Sequence, residues 1–374
     1  MREEIKKSWR GYFIPVFCLG CLLLNCYLLL GRWEYRDDIQ KINRMASETG
    51  TRITNSIMQD YEKFWTEKMN TSGMKWEELE GFIRMAPGLF ENVSLEDMAY
   101  SYISDNHLSG EAAEYAVSLY HGLEGRKQEI SANEAGTLFL PASMSYFSYL
   151  SVYILFITAI ETIAGCVLIT VRNTHFEINN RTEAVIYTTS KGRRTITDKL
   201  TCSILDGIFI SAILYGITFI LLTAVYPVNN LLTAPVSSGM NELGGSPCIS
   251  SWPISIGGYF LLNFITASGL GIVFVLLAFT LSAVIRNSFL AVLLVLAGTS
   301  IIRIAGMNMP LSVMSYFYEK YNPVDCLLQA GKWFISCSSS VSLPFYESGT
   351  IILWSMILGS ACMIMIRRFN RQEL

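Results

Sequence analysis

The sequence predicts an all-α polytopic membrane protein with six transmembrane helices and a helical extracellular domain. Three observations predict it. Hydrophobic residues make up 51% of the 374-residue chain and charged ones only 16%, a balance foreign to ordinary soluble domains. The apolar residues fall into six runs, each long enough to cross about 30 Å of hydrocarbon at about 1.5 Å per helical residue. Positive charge collects in alternate gaps between the runs, which sets their orientation.

The first segment, MREEIKKSWR, is basic and reads as a short helix on the inner surface. The run Gly11 to Leu30 follows and ends in Gly31-Arg32-Trp33. A cleaved signal peptide has a shorter apolar core and small residues at its cut site, so residues 1–31 are expected to form a cytoplasmic segment and a retained first span. Trp9 and Trp33 flank it, as indole rings favour the interface.

Residues 32–148 are the one large polar stretch, with 11 basic and 19 acidic side chains. Ile39, Ile42, Met45, Ile53, Ile57, Tyr61, Phe64 and Met69 recur at helical steps and predict one long helix ending at Ser72-Gly73. Shorter helices are expected over Trp76–Met85, Leu95–Asp105 and 111–123. Ser94 with Asp97 forms a capping box before the second of these.

Residues 149–374 form the expected five-span membrane domain. The spans run over 149–171, 201–226, 256–285, 288–306 and 349–366. The cationic gap 172–200 carries Arg172, Arg181, Lys191, Arg193, Arg194 and Lys199, whereas 227–255 contains no Lys or Arg. Counted over the short flanks, fourteen positive charges lie on one side, and two, Lys320 and Lys332, on the other. Loops longer than about 60 residues do not vote. Both termini are therefore expected in the cytoplasm of a multi-pass cell-membrane protein, with residues 32–148 extracellular.

The chemistry the chain lacks is also informative. There is no GxxxxGK[ST] phosphate loop, HExxH, GxSxG or kinase signature. No enzyme activity, bound cofactor or metal site is expected. A net charge of −3 gives no reason to expect a nucleic-acid partner. Six of the nine cysteines (Cys18, Cys21, Cys26, Cys166, Cys202 and Cys362) lie in or beside apolar runs as packing residues. A Cys326–Cys337 bond is open.

Several polar residues fall within the runs. Glu161 sits near the middle of the second span, where an ionised carboxylate costs about 3 kcal/mol. It is either a polar point on a substrate path or subunit interface, or a packing hydrogen-bond partner of a Ser or Thr. Asn25 and Asn263 fit interhelical hydrogen bonds, and Gly269 with Gly271 fits close helix contact. Asp206 is interfacial, and Arg303 is expected to snorkel outward.

The gap 172–200 has two readings from composition: a topology anchor meeting anionic lipid heads, or a docking segment. Six spans, a large polar stretch between the first two, and EAVIYTTSKGRRTITDK (183–199) together resemble ABC-2 type ABC-transporter permeases. LSAVIRNSFLAV (281–292) is similar to that family's tight inner turn between spans four and five. Asn322-Pro323 is similar to the start of its outer re-entrant helices. The proline many members carry in the coupling segment is absent.

The resemblance implies an ABC-2 exporter-like fold and an ATP-driven export function. Coupling to an ATPase partner would fall on Glu183, Ser190, Lys191, Gly192, Arg193, Arg194 and Lys199, with Arg286 and Asn287 in the second turn. It implies separate ABC ATPase subunits carrying ATP and Mg, and a second permease subunit, identical or homologous, in the lipid bilayer. The cargo would be amphipathic or hydrophobic: an antimicrobial peptide, a drug or a lipid-like molecule. Glu161, Asn25 and Asn263 would border its path. The alternative is a ligand-sensing or signal-relay membrane protein acting through its ectodomain.

Overall fold

A computed structural model of the chain describes residues 12–53, 76–137, 146–182, 195–243, 245–309, 312–343 and 345–371, with Glu4, Lys7, Trp9, Gln59 and Glu62. It is mostly helical. Six of its helices are long and apolar enough to cross a membrane: α1 (Phe13–Leu30), α8 (Phe147–Asn179), α9 (Thr195–Val225), α10 (Ile256–Val284), α11 (Ser288–Met307) and α14, which spans Tyr346–Arg371. Between α1 and α8 lie α2 (Arg36–Thr49), α3 (Trp76–Met85), α4 (Leu89–Asn92), α5 (Leu95–Asp105), α6 (Glu111–His121) and α7 (Glu124–Asn133). Two shorter helices, α12 (Val313–Lys320) and α13 (Pro323–Leu328), precede α14.

The starts of these helices follow from local chemistry. Ser94 Oγ accepts from Asp97 N at 3.0 Å, as the capping box requires. Ser255 Oγ caps α10 by accepting from Gly258 N at 3.1 Å. The Asn287 side chain accepts from Phe289 N and Leu290 N and opens α11 three residues after α10 ends. Asn322 caps α13 with Pro323 in its first turn, where the missing N–H costs nothing.

Burial ranks the long helices. For α8, 72% of its apolar window is buried inside the protein, against 11% for α11 and for α14. Thus α8 is the axis, and α11 and α14 present apolar side chains such as Ile301 and Met356 outward. Small residues let the central helices approach. Cys166 of α8 sits where a Cβ on Gly207 of α9 or Gly271 of α10 would come within 3.1 Å and 2.9 Å of its sulfur. A Cβ on Gly269 would meet Ile351 of α14 at 2.9 Å. α8 starts with a π-helical stretch, Leu150–Leu155, a form found mostly as local bulges.

At one end of the bundle, three stretches distant in sequence build a single cap: α2–α7, the α9–α10 connection and the α11–α14 connection. One apolar core continues from the long helices into it, through Ile39 and Met45, Phe90 and Tyr120, Leu231 and Ile249, and Trp333 and Ile335. Two short antiparallel ladders brace the connections: β1 (Glu242–Leu243) with β2 (Ser246–Pro247), and β3 (Ile249–Ser250) with β4 (Ile335–Ser336). The second ladder joins the two connections, with Ile249 opposite Ser336. Gly239 packs so closely on α3's exit that a Cβ would stand 2.2 Å from Ala86 O.

One expectation is corrected, and two other points are filled in. The long helix over residues 39–69 stops at Thr49, because Gly50 takes φ 87° and closes the helix on Ala46 O. A left-handed glycine is a common helix terminator, and the apolar stripe past it belongs to residues mostly outside those described. Arg303 reaches toward the capped end, where its guanidinium pairs with the Asp325 carboxylate of α13. Cys326 and Cys337 are both free and buried; Trp333 Nε1 donates to Cys326 O at 2.8 Å, and Tyr120 Oη to Cys337 O at 2.6 Å.

Candidate functional site

Two places hold the residues singled out above: the end of the bundle opposite the cap, and its polar interior. At the first, α8 ends at Asn179 and α9 begins at Thr195. Glu183, Ser190, Lys191, Gly192, Arg193 and Arg194 lie between them, outside the described residues. Lys199, Arg286 and Asn287 are described, and they stand in quite different settings.

Lys199, one turn into α9, is buried. Its Nζ donates to Thr174 O at 2.8 Å and pairs with the Glu177 carboxylate of α8. The Glu177 side chain is wholly enclosed and also receives Lys7 Nζ at 3.2 Å. Two ammonium groups from separate segments therefore bracket one carboxylate. Such a buried pair repays its desolvation only when its hydrogen bonds are complete, and Thr174 O supplies one of them. Lys7 also holds Glu4 at 2.5 Å. Burial acts to lower the Lys7 pKa, but hydrogen bonding and charge from Glu4, then Glu177, outweigh it and raise the value.

Other contacts tie the same end together. Trp9 Nε1 donates to Asp206 at 2.9 Å, and Asn173 Nδ2 to the other oxygen of that carboxylate at 3.0 Å. Asp206 is 3% exposed, so it is an internal anchor for the N-terminal segment. The His175 ring bridges α8 to the end of α10, its Nε2 2.6 Å from Ile285 O. Asn179 Nδ2 donates to Ser288 Oγ at 3.2 Å. The last two turns of α8 thus reach the N-terminal segment, α9 and the α10–α11 turn. Arg286 and Asn287, in that turn, are exposed. A cavity of about 310 Å³ opens beside it, lined by Lys199 and Thr174, by Ser282 and Arg286, and by Met365, Arg368 and Phe369 of α14.

In the interior, two of the three path residues meet. Asn25 Nδ2 of α1 donates to Glu161 Oε2 of α8 at 2.9 Å and lies 3.2 Å from Thr218 Oγ1 of α9. Asn263 is not in this group; its side chain donates to Tyr259 O at 2.9 Å, one turn back on α10. Both arrangements pair the amide nitrogen and leave the amide oxygen without a partner among the described residues, and the first crosslinks three helices. An open apolar hollow of about 350 Å³ lies between α9 and α10, lined by Tyr215, Phe219, Phe260 and Phe264. Among the described residues, no group of three or more His, Cys, Asp or Glu side chains could hold a metal ion.

Sequence reasoning passed over Glu177, Lys7 and the acceptor role of Asp206. Glu177, within the cationic gap, was given no role there. Its spacing of three from Thr174 was the available signal, since it puts both on one face of a helix. No protein-family model matches the chain, and no curated protein matches it.

Proposed function

We propose that the chain is the membrane permease subunit of an ATP-driven exporter of the ABC-2 type, whose ATP is hydrolysed by separate subunits. Support comes from the segments 183–199, 281–292 and 322–323 that resemble that family. The observation that carries the reading is convergence. The start of α9, through Lys199, and the α10–α11 turn, through Arg286, line one cavity at the basic end. Two segments that would receive an ATPase are thus neighbours in space. Asn322-Pro323 opens a short helix at the opposite, capped end.

The basic end faces the cytoplasm in this reading and the cap faces out, following the distribution of positive charge. A push on residues 183–194 would pass into α9, one unbroken helix from Thr195 to Val225. The Lys199–Glu177 pair would share it with α8. Two ATPase subunits with their ATP and Mg would act on two permeases, identical or homologous, shifting the pair between inward- and outward-open populations. The cargo would be amphipathic or hydrophobic, with the Asn25–Glu161 pair a polar point beside its route.

Deleting residues 181–194 should abolish co-purification with an ATPase subunit while the protein remains in the membrane. Unchanged retention of the ATPase would sink the assignment. If no ATPase is retained by the intact chain and a ligand reshapes the cap instead, the protein is a sensor rather than an exporter.

A further inference from the structure

The cavity at the basic end has a chemistry that coupling does not use. Three cations from three elements line it: Lys199 of α9, Arg286 of the α10–α11 turn and Arg368 near the end of α14. No carboxylate lines it among the described residues. Glu177, which neutralises Lys199, stands behind that lysine rather than in the wall. Ser282 also borders the cavity, though its hydroxyl oxygen is itself enclosed. The rest of the wall is apolar, with Ile178, Ile196 and Met365. At about 310 Å³ the space is at the lower end of small-ligand pockets, about 300–1,000 Å³.

Position narrows the ligand. The cavity lies where α9, α10 and α14 end, at the depth of the headgroup layer if these helices span the membrane. Basic pockets between helix ends at this depth hold phosphate headgroups. We propose that the cavity binds the headgroup of an anionic phospholipid. The phosphodiester accepts from Arg286 and Arg368, and the glycerol end lies along the apolar wall. The lipid bridges α10, α14 and the start of α9. This site goes beyond the exporter reading and needs no ATPase.

The test is native mass spectrometry of the full chain purified in mild detergent, titrated with phosphatidylglycerol or phosphatidylcholine. Retained phosphatidylglycerol should exceed phosphatidylcholine. Affinity should fall about fivefold for each arginine removed in Arg286→Gln and Arg368→Gln, and should be unchanged in Lys332→Gln at the capped end. The parent chain in raised ammonium acetate serves if the arginine variants fail to fold: phosphatidylglycerol retention should weaken while phosphatidylcholine retention holds. Equal retention of the two lipids, or full phosphatidylglycerol retention both in the arginine variants and at raised salt, would overturn the proposal. So would a melting shift with millimolar inorganic phosphate but none with phosphatidylglycerol, which would assign the site to a soluble anion.

Discussion

The two ends of this molecule are held together in different ways. At the capped end, three stretches separated in sequence by long helices share one apolar core, and backbone groups join them. Gly239 N donates to Ala135 O at 3.0 Å, Ser251 N to Phe334 O at 2.9 Å, and Arg126 Nε to Ser250 O at 3.0 Å. At the basic end the buried apolar residues form two smaller clusters, and side chains make the polar links: Lys7 and Lys199 on Glu177, Trp9 and Asn173 on Asp206, His175 on Ile285 O. A packed core resists deformation continuously, whereas a few charged or polar side chains can exchange partners at once. The difference assigns rigidity to the cap and any rearrangement to the basic end.

The largest effect should come from the cap's centre. Trp333 is fully buried and donates to Cys326 O; Trp333→Ala should cost about 3–5 kcal/mol. Thermal melting in detergent should show a single lowered transition, because the core runs unbroken from cap to long helices. Two separated transitions would mean that the cap folds as an independent unit, and the contrast would then be one of domains rather than ends.

Next is the buried pair. Glu177→Leu leaves the Lys199 ammonium enclosed without its carboxylate and should destabilise by about 3 kcal/mol. Glu177→Leu with Lys199→Met should recover most of that loss, to within about 1 kcal/mol of the parent, since apolar replacement of a whole buried pair is often neutral. A double-mutant cycle in chemical denaturation measures it. If the double variant is as unstable as the single one, the basic end depends on packing after all, and the contrast with the cap collapses.

The long helices were legible because a run of apolar residues has only one way to satisfy its backbone in hydrocarbon. Their ends in the structure lie within a few residues of the expected ones at 256–285 and 288–306, where Ser255 and Asn287 mark the starts. The cap was not legible. Its ladders are two residues long and carry no alternation, and Ile249 meets Ser336 only after two long helices intervene. Gly50 overrode an otherwise consistent stripe, a case of one backbone conformation outweighing periodicity. For the candidate site, charge and the family resemblance marked Lys199, but its burial required knowing that α8 and α9 lie side by side with Glu177 facing it.

The smallest expected effect tests a charged cluster inside the cap. Arg126 holds Glu129 at 2.9 Å, Glu134 at 2.6 Å and the Ser250 hydroxyl at 3.0 Å. Burial raises the Glu134 pKa above its ordinary 4.5, more than the Arg126 hydrogen bond and charge lower it. A raised carboxyl in the folded state means that the unfolded chain releases its proton first as pH climbs. Stability from this group is therefore present below about pH 4.5 and declines through the window up to the raised value. Glu134→Gln removes that slope. Melting of the parent and variant between pH 4 and 7 should show the variant gaining on the parent as pH rises, by about 1 kcal/mol or less. A variant that instead loses ground across the window would make the Arg126–Glu134 pair a net stabiliser, and the cap would then owe part of its rigidity to charge, as the basic end does.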